Sequence, residues 1–586
     1  MSFASRLASV ASPLFLSLAL LIASCAPQAA PAAPAAPAQP TAPPSAQPTA
    51  QSQPQATAAA RPTPTLVPAV APTPTPLAVG EKPRSGGILT EGHFGDPPTF
   101  DIQQEASIQT LNPIGPGYNT LIQYDPLDIY KIVGDLADKW VISPDGLKYT
   151  FSLHKGIKWH DGQPFTADDV AFSLDRMRNP PPGTVSPRAD QLQNISRVEA
   201  QDPLTVVITL KQARASFIPT IANGWLVIMP KHVIQAKGNM KTDVVGTGPF
   251  KFVKYSRGVS VEWTKNPDYF MPGRPYLAGV KFYIIQDTET RYAAFRTRQV
   301  LLTARGTQGF TTSAQRTRAE RELGARIQVW VWPNLGSSIL WFNTQRKPFN
   351  DVRVRRAADM VMDRQATIDI LGQGTGQVSY LYPSDSPFAL PDSEIRSWPG
   401  YRQGTAVTSD DIAQAKKLLA DAGYPNGFKT VHINRAGSGF DSRGVLIKDQ
   451  LSRIGIDVQL DTQEFGAYQV SLSKKDYESV NYGPTPLTDD PDSKLDPFFR
   501  TGASQNFSNF SDPQVGKLLE QQAVATDPAQ RAKLVQDIQR RIHDQAPIAL
   551  MYNLMAQMGA WKEVRGYHPG VGLTNNQKLD TVWLAQ

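Results

Sequence analysis

The 586-residue sequence contains a single cysteine, Cys25. One thiol cannot form a disulfide within the chain, so a folded region of this protein must be held together by its hydrophobic core. The seven histidines show no metal-ligand spacing, and the sequence has no G-x-S-x-G elbow, P-loop or H-E-x-x-H motif. These absences argue against a metal site built by the protein and against the common hydrolase and nucleotide-binding sites.

The sequence also lacks an apolar run long enough to span a bilayer near its amino terminus. The apolar run 14–23 follows Arg6 and is too short for a membrane span. It ends in the small residues Ala23 and Ser24, an order that indicates an export signal over residues 1–24. Cys25 comes directly after the small residues, which resembles the bacterial lipobox and implies that Cys25 is acylated and anchors the chain. A plain secretory signal with a nearby cysteine is the alternative.

Residues 26–85 have almost no Leu, Ile, Phe, Trp or Tyr and are rich in Pro, Ala, Thr and Gln. Such a composition cannot bury a core. As a flexible coil, about 60 residues reach on the order of 40 to 45 Å. We therefore predict that residues 25–85 form a lipid-anchored, disordered linker.

The remaining 500 or so residues are too many for one core and typical of two or three lobes. The formal net charge of the chain is +7. Arg6 accounts for one positive charge and the linker for two more, which leaves a mild +4 for the folded part. Its basic residues are scattered along the sequence, so no nucleic-acid partner is expected.

The folded part alternates between strand and helix patterns. Residues 148–153 and 204–210 show the patterns of strands. Capping boxes at 166–169 and 408–411 each precede an amphipathic helix, and a helix pair is predicted over 511–543 with a break at Asp527 and Pro528. This mixture predicts an α/β protein.

Short matches to a serine-hydrolase motif are present but isolated. Residues 471–474 and 152–155 both fit S-x-x-K, and 504–506 resembles a partner motif, but K-T-G is absent. An envelope hydrolase is therefore the alternative from a different functional class, and it is disfavoured.

Longer motifs follow one another through the folded part. They are residues 133–140, 143–153, 156–170, 246–251, 266–270, 341–355, 415–425 and 451–456. In this order they resemble the extracellular solute-binding proteins of the peptide/nickel class. The resemblance covers essentially all of residues 86–586.

The resemblance implies an α/β, two-lobe periplasmic-binding-protein fold with a hinge and an additional subdomain on the first lobe. The implied boundaries are 86–124, 234–331 and 552–586 for the first lobe, 125–233 for the additional subdomain and 332–551 for the second lobe. Ligand binding would close the lobes over a cleft. The chain is then a receptor without a cofactor, not an enzyme.

By the same resemblance, the protein is expected to be a monomeric extracytoplasmic receptor in the periplasm or at the cell surface. It would be held to the lipid bilayer of the cell membrane through Cys25 and would deliver an oligopeptide or peptide-sized polar solute to an ABC permease and ATPase complex. An oligosaccharide or an opine-like solute is the alternative.

The resemblance also places candidate ligand-binding residues on both sides of the cleft. These are Glu105, Ser107, Ile108, Arg305 and Gln308 in the first lobe, and Asn334, Ile339, Trp341, Phe465, Tyr468, Asn481 and Thr485 in the second. The aromatic side chains among them could equally belong to the core.

One loop departs from the family pattern. In the family's oligopeptide binders, the segment that corresponds to residues 479–491 carries an Arg, a Trp and an Asp, and the Asp pairs with the peptide's ammonium group. Asn481, Pro484 and Leu487 stand at those places here, so this anchor is expected to be lost. A shifted alignment would instead bring Asp489 or Asp490 into the cleft.

Replacing Cys25 with Ala tests the anchor. We expect Cys25→Ala to release the protein from the membrane fraction or to leave an unprocessed precursor, because the acyl chains hold the mature protein on the bilayer. Cell fractionation and metabolic labelling with a fatty-acid probe measure both effects. A wild-type protein that takes up no label would contradict the prediction.

Overall fold

The computed structural model describes residues 81–402, 406–437, 440–486, 488–570 and 576–585. The predicted signal peptide, Cys25, nearly all of the predicted linker and Leu487 lie outside the described residues. Within these ranges, no helix is both long enough and apolar enough to cross a bilayer.

The amino-terminal third of the described chain begins with β1 (Ile88–His93), which belongs to a sheet completed by later strands. It then forms a separate four-stranded sheet. Its elements are β1 (Ile88–His93), α1 (Ile108–Ile114), β2 (Ile122–Tyr124), β3 (Ile132–Gly134), β4 (Ala137–Ile142), β5 (Lys148–Leu153), α2 (Ala167–Arg178), β6 (Ile195–Asp202), β7 (Thr205–Leu210), α3 (Phe217–Ile221) and α4 (Lys231–Lys237). Strands β4, β5, β7 and β6 pair antiparallel in that spatial order. Their inward side chains pack with α2 and α3 into the subdomain core, whose members lie between residues 121 and 228.

The next segment completes the sheet that β1 begins. It contains β8 (Phe250–Ser256), β9 (Ser260–Lys265), β10 (Gly279–Ile284), α5 (Thr288–Arg296), α6 (Ser313–Leu323) and the long strand β11 (Ile327–Phe342). The sheet has the order β1-β10-β9-β8, with β1 parallel to β10. Its buried face forms the first core, together with the first half of β11 and with residues of the carboxyl-terminal segment.

The last segment builds a mixed sheet covered by helices. Its elements are α7 (Val352–Met360), α8 (Arg364–Leu371), α9 (Asp392–Ser397), α10 (Ser409–Asp421), β12 (Phe428–Arg435), α11 (Phe440–Ser452), β13 (Ile456–Gln463), α12 (Phe465–Lys474), β14 (Ser479–Tyr482), α13 (Pro491–Lys494), α14 (Asp496–Phe499), α15 (Pro513–Val524), α16 (Pro528–Gln545), β15 (Ile548–Trp561), β16 (Val564–Arg565) and β17 (Trp583–Leu584). The sheet order is β13-β12-β14-β11-β15. This sheet and its helices enclose the second core.

Strands β11 and β15 pass from one core to the other. They pair antiparallel from Ile327 with Trp561 to Trp341 with Ile548, and the register shifts between Pro333 and Ser337. Trp330 and Trp332, before the shift, belong to the first core, whereas the residues from Ile339 onward belong to the second. The chain therefore has a two-lobe α/β fold whose lobes share this pair of strands.

The local predictions from the sequence are confirmed. Strands occupy 148–153 and 205–210, and both capping boxes are formed, by Thr166 with Asp169 and by Thr408 with Asp411. The predicted helix pair is α15 and α16, and Asp527 caps the second helix by accepting a hydrogen bond from the backbone N–H of Gln530.

Buried histidines make the fold sensitive to acid. Burial lowers the pKa of His93, His432 and His543 to about 3, and that of His160 to about 4. In the unfolded chain each would titrate near its ordinary value of about 6.5. Protons therefore bind the unfolded state first, and the contribution of these histidines to the free energy of unfolding is greatest above pH 6.5 and decreases as the pH falls toward the folded values.

We expect each of these histidines to cost up to about 1.4 kcal/mol of stability per pH unit below 6.5. Urea unfolding at pH 7.5, 6.5 and 5.5 measures the slope. The variant His432→Asn removes one titrating group and should show a shallower slope than the wild type. An unchanged slope in this variant would contradict the assignment of His432.

Candidate functional site

A small pocket lies in the second lobe beside the register shift of β11. It has a volume of about 20 Å³. Its walls come from β11, the segment between α8 and α9, the loop after β14 and the helices α13 and α14: Leu335, Ser337, Ile339, Trp341, Leu381, Pro484, Pro486, Lys494, Phe498 and Phe499. The Trp341 ring stacks on Phe499 at 5.8 Å between centroids, and its indole N–H donates to the Tyr482 carbonyl at 3.1 Å. We call this the hinge pocket.

A second pocket, of about 30 Å³, lies in the first lobe next to β2. Its lining includes Tyr118, Tyr124, Gly224, Asn576 and Gln577. Both side-chain polar atoms of Asn576 and Nε2 of Gln577 are buried and have no hydrogen-bond partner among the described residues. Buried polar atoms without partners are uncommon, and in a pocket they are groups that a ligand or water can satisfy. We call this the amide pocket.

Both pockets border a contact between the two lobes. The Ser216 hydroxyl donates to the Asp492 carboxylate at 2.6 Å, and the Ala215 N–H donates to the Ala523 carbonyl at 2.8 Å. Tyr124, in the wall of the amide pocket, lies close enough to the second lobe that the carboxylates of Asp489 and Asp490 add to the effect of burial in raising its pKa. The wall of the amide pocket therefore lies near the second lobe. Each pocket has room for one or two waters.

The carboxylates considered as alternative anchors for an ammonium group all have partners. Asp490 is 5 % exposed and accepts two hydrogen bonds from Arg531, at 2.7 and 2.9 Å. Asp489 pairs with Lys494 at 3.3 Å. Glu105 accepts from the backbone N–H groups of the two residues that follow it. Asp489 and Asp490 therefore already have cationic partners, whereas Glu105 uses only Oε1 for its two backbone contacts.

The candidate residues of the first lobe fall in different environments. Arg305 is buried and forms an ion pair with Glu91 at 2.7 Å, and it also donates to the Asn112 carbonyl. Ser107 caps α1, and Ile108 packs against the first core. Gln308 ends a short 3₁₀ turn, Gly306–Gln308, and is half-buried.

Two candidates from the second lobe line the hinge pocket, and two more are next in sequence to residues that line it. Ile339 and Trp341 line it. Asn334 accepts a hydrogen bond from the backbone N–H of Gly336, and a Cβ on Gly336 would lie 3.0 Å from the Thr485 hydroxyl oxygen. Gly336 thus allows the loop after β14 to approach β11 closely.

The other three candidates of the second lobe do not line the hinge pocket. The Tyr468 hydroxyl donates to the Asn481 carbonyl, and both residues are buried. The Asn481 amide donates to Asn434, and its Oδ1 has no partner in the part of the chain that the structure describes. Phe465 is 53 % exposed and lies 4.6 Å below the Arg435 guanidinium.

The structure also adds residues that the sequence did not indicate. They are Pro486, Lys494 and Phe498, which line the hinge pocket. Within the described ranges, no group of three or more His, Cys, Asp or Glu side chains is arranged to hold a metal ion. A larger cavity of about 310 Å³ is lined by α7, α10 and His543, away from the hinge pocket.

Comparison with known proteins identifies relatives across most of the chain. Residues 131–506 match the family model described as bacterial extracellular solute-binding proteins, family 5, middle region. The glutathione-binding protein of Pectobacterium atrosepticum is 30 % identical over 435 residues, which are 71 % of this chain and 79 % of the relative. The dipeptide-binding protein of Escherichia coli is 28 % identical over 504 residues, 81 % of this chain and 90 % of the relative.

A solved structure has the same fold. The ABC transporter-associated periplasmic binding protein DppA from Helicobacter pylori, in complex with the peptide STSA, superimposes with a TM-score of 0.65 at 27 % sequence identity. The match covers 86 % of this chain and 99 % of that chain.

The position of Arg305 predicts a structural effect. Arg305→Met leaves the Glu91 carboxylate buried without its partner, which should lower the free energy of unfolding by about 3–5 kcal/mol even without ligand. The matched control is Arg197→Met, which breaks an ion pair with Glu199 whose side chains are 70 % and 38 % exposed, and it should cost about 0–1 kcal/mol. Urea unfolding of both variants measures the difference. If Arg305→Met weakened ligand binding without a loss of stability, Arg305 would be a ligand contact instead.

Proposed function

We propose, on the premise that this chain belongs to family 5 of the bacterial extracellular solute-binding proteins, that it is a receptor for short peptides that works by closing its cleft. Proteins of this family bind solutes for ABC transporters, and the chain is a receptor of this kind, not an enzyme. The names of its relatives mention glutathione, dipeptides and a bound four-residue peptide. These names support peptides of about two to four residues as the solute class.

The observation that carries the proposal is the shared pair of strands between the lobes. Only β11 and β15 cross between the first and second cores in the described part of the chain, and they change register at Pro333–Ser337, next to the hinge pocket. A change of backbone angles at this point would move one lobe relative to the other while each core stays intact. Such a movement would open the cleft to a peptide and then enclose it.

Location and partners complete the proposal. Acylation at Cys25 would hold the receptor on the outer side of the cell membrane, with residues 25–85 as a tether, and the closed form would be recognised by an ABC permease and ATPase complex. We expect the receptor to act as a monomer. The family match supports an extracytoplasmic location, and the order of residues around Cys25 supports the anchor.

Ligand-driven closure is testable with di-, tri- and tetrapeptides. A peptide that binds should raise the free energy of unfolding by roughly 2.7 kcal/mol at 100 times its Kd. It should also reduce the radius of gyration in small-angle scattering. Gly336→Val should weaken binding by about 5- to 150-fold, since a side chain there would crowd Leu554 and Thr485 where the loop approaches β11. The control Gly516→Ala, in α15 with no atom within 4 Å of the added Cβ, should bind as the wild type does.

Two results would contradict this function. One is the conversion of a bound peptide to product by the purified protein, which would identify an enzyme. The other is stabilisation by a peptide without any compaction, with Gly336→Val unaffected. The same peptides acetylated at the amino terminus should still bind, because the carboxylates of Asp489 and Asp490 already have cationic partners.

A further inference from the structure

A cavity of about 310 Å³ lies in the second lobe, away from both pockets described above. It is bounded by α7, α10 and the end of α16, and we call it the helix cavity. It shares no lining residue with the hinge pocket or the amide pocket. Small-molecule sites have volumes of roughly 300–1,000 Å³, so the helix cavity is large enough for a small organic molecule, whereas the two pockets hold only water.

The inner wall of the helix cavity contains His543, whose side chain is 14 % exposed. Its imidazole stacks on the Trp398 indole, with 3.6 Å between ring centroids and 10° between the ring planes. Trp398 itself does not line the cavity, so the indole supports the imidazole from the protein side. Burial, with smaller contributions from the charges of Arg364 and Arg356, lowers the pKa of His543 to about 3. The ring is therefore neutral at pH 7.

The rest of the inner wall is mainly apolar. Met360, Leu418 and Pro399 line it, and the first two also pack against the second core. The ring nitrogens of His543 form no hydrogen bond with a described residue, and the distance of 4.0 Å from its Nδ1 to the Asp544 carboxylate is too long for one. A ligand on this wall would therefore meet apolar surface and a neutral aromatic ring.

The charged side chains of the lining are paired within the protein, with one exception. Asp359 is 5 % exposed and pairs with Arg364 at 2.5 Å, and Lys417 pairs with Asp421 at 2.8 Å. Arg356, an exposed residue of α7, forms no hydrogen bond or ion pair with any residue of the described ranges. The uncompensated charge of the lining is therefore positive.

The position of Arg356 allows one ligand to contact it and the inner wall together. Its charge acts on the pKa values of both Asp359 and His543, so the guanidinium lies near both of these lining groups. A guanidinium can donate two parallel hydrogen bonds to a carboxylate. An apolar wall with one unpaired cation beside it matches a molecule that has an apolar body and a single carboxylate.

We propose that the helix cavity is a second ligand site, which binds a small organic acid with an apolar body. The carboxylate would accept hydrogen bonds from Arg356, and the body would pack on the His543 ring and on Met360 and Leu418. This inference goes beyond the peptide receptor and does not rest on it, because the cavity is built from residues that neither of the two pockets uses.

Phenylacetate and phenylacetamide test the proposal, since they share an apolar ring and differ in the charge of the carboxyl group. Each is titrated into the purified protein at pH 7.5 while NMR follows the ring resonance of His543, assigned from its absence in His543→Phe. Both probes should shift this resonance saturably. The acid should bind about 3- to 10-fold more tightly than the amide, an effect between that of an exposed ion pair and that of a buried charged hydrogen bond. Arg356→Gln should remove this preference.

Three further variants control for charge, for space and for location. Lys416→Gln removes a positive charge from an exposed position of α10 outside the lining, and it should keep the preference for the acid. Gln414→Trp places a large side chain at an exposed lining position and should weaken the binding of both probes by about 5- to 150-fold. Gly336→Val, which crowds the loop at the hinge pocket, should bind both probes as the wild type does.

Three results would overturn the proposal and leave the peptide receptor intact. The first is a His543 resonance that neither probe shifts saturably. The second is equal binding of the acid and the amide by the wild type, or an unchanged preference in Arg356→Gln. The third is weaker binding of phenylacetate by Gly336→Val with no effect of Gln414→Trp, which would place the acid in the cleft.

Discussion

The pairing of β11 with β15 is the constraint on which the two-lobe arrangement depends. A single pair of strands contributes to both large cores, so the lobes cannot separate, yet each core closes on its own side of Pro333–Ser337. The polar side chains at the crossing are satisfied locally: Ser337 donates to Asn553, and the Asn553 amide donates to Ser379 and to the Tyr380 carbonyl. The hydrogen bonds of Asn553 therefore tie β15 to the second lobe at the point where motion between lobes would be concentrated.

The secondary-structure elements that could be predicted from the sequence are those determined by residues close to one another in the chain. A capping box such as Thr408 with Asp411 involves neighbours in the chain, and an alternating strand such as residues 148–153 carries its burial pattern in its own side chains. The class of fold followed from long motifs in a fixed order. The boundaries between lobes stay predictions, although members of the first core come both from near Leu89 and from near Val582. Contacts over such distances in sequence leave no local pattern.

The binding residues were less predictable because a side chain type does not reveal its partner. Arg305 is an arginine near a candidate cleft segment, but Glu91 neutralises it within the protein. Asp490 was a reasonable anchor for an ammonium group until its bidentate contact with Arg531 was visible. Glu91 is more than 200 residues from Arg305, so these pairings become known only when the chain is folded.

The acids of the loop after β14 are held by partners from the same lobe. Asp490 pairs with Arg531, and Asp489 pairs with Lys494. Breaking a buried ion pair costs several kcal/mol, so Asp490 gains little by exchanging Arg531 for a ligand ammonium. The folding that brings these acids near the hinge pocket therefore also satisfies them within the protein.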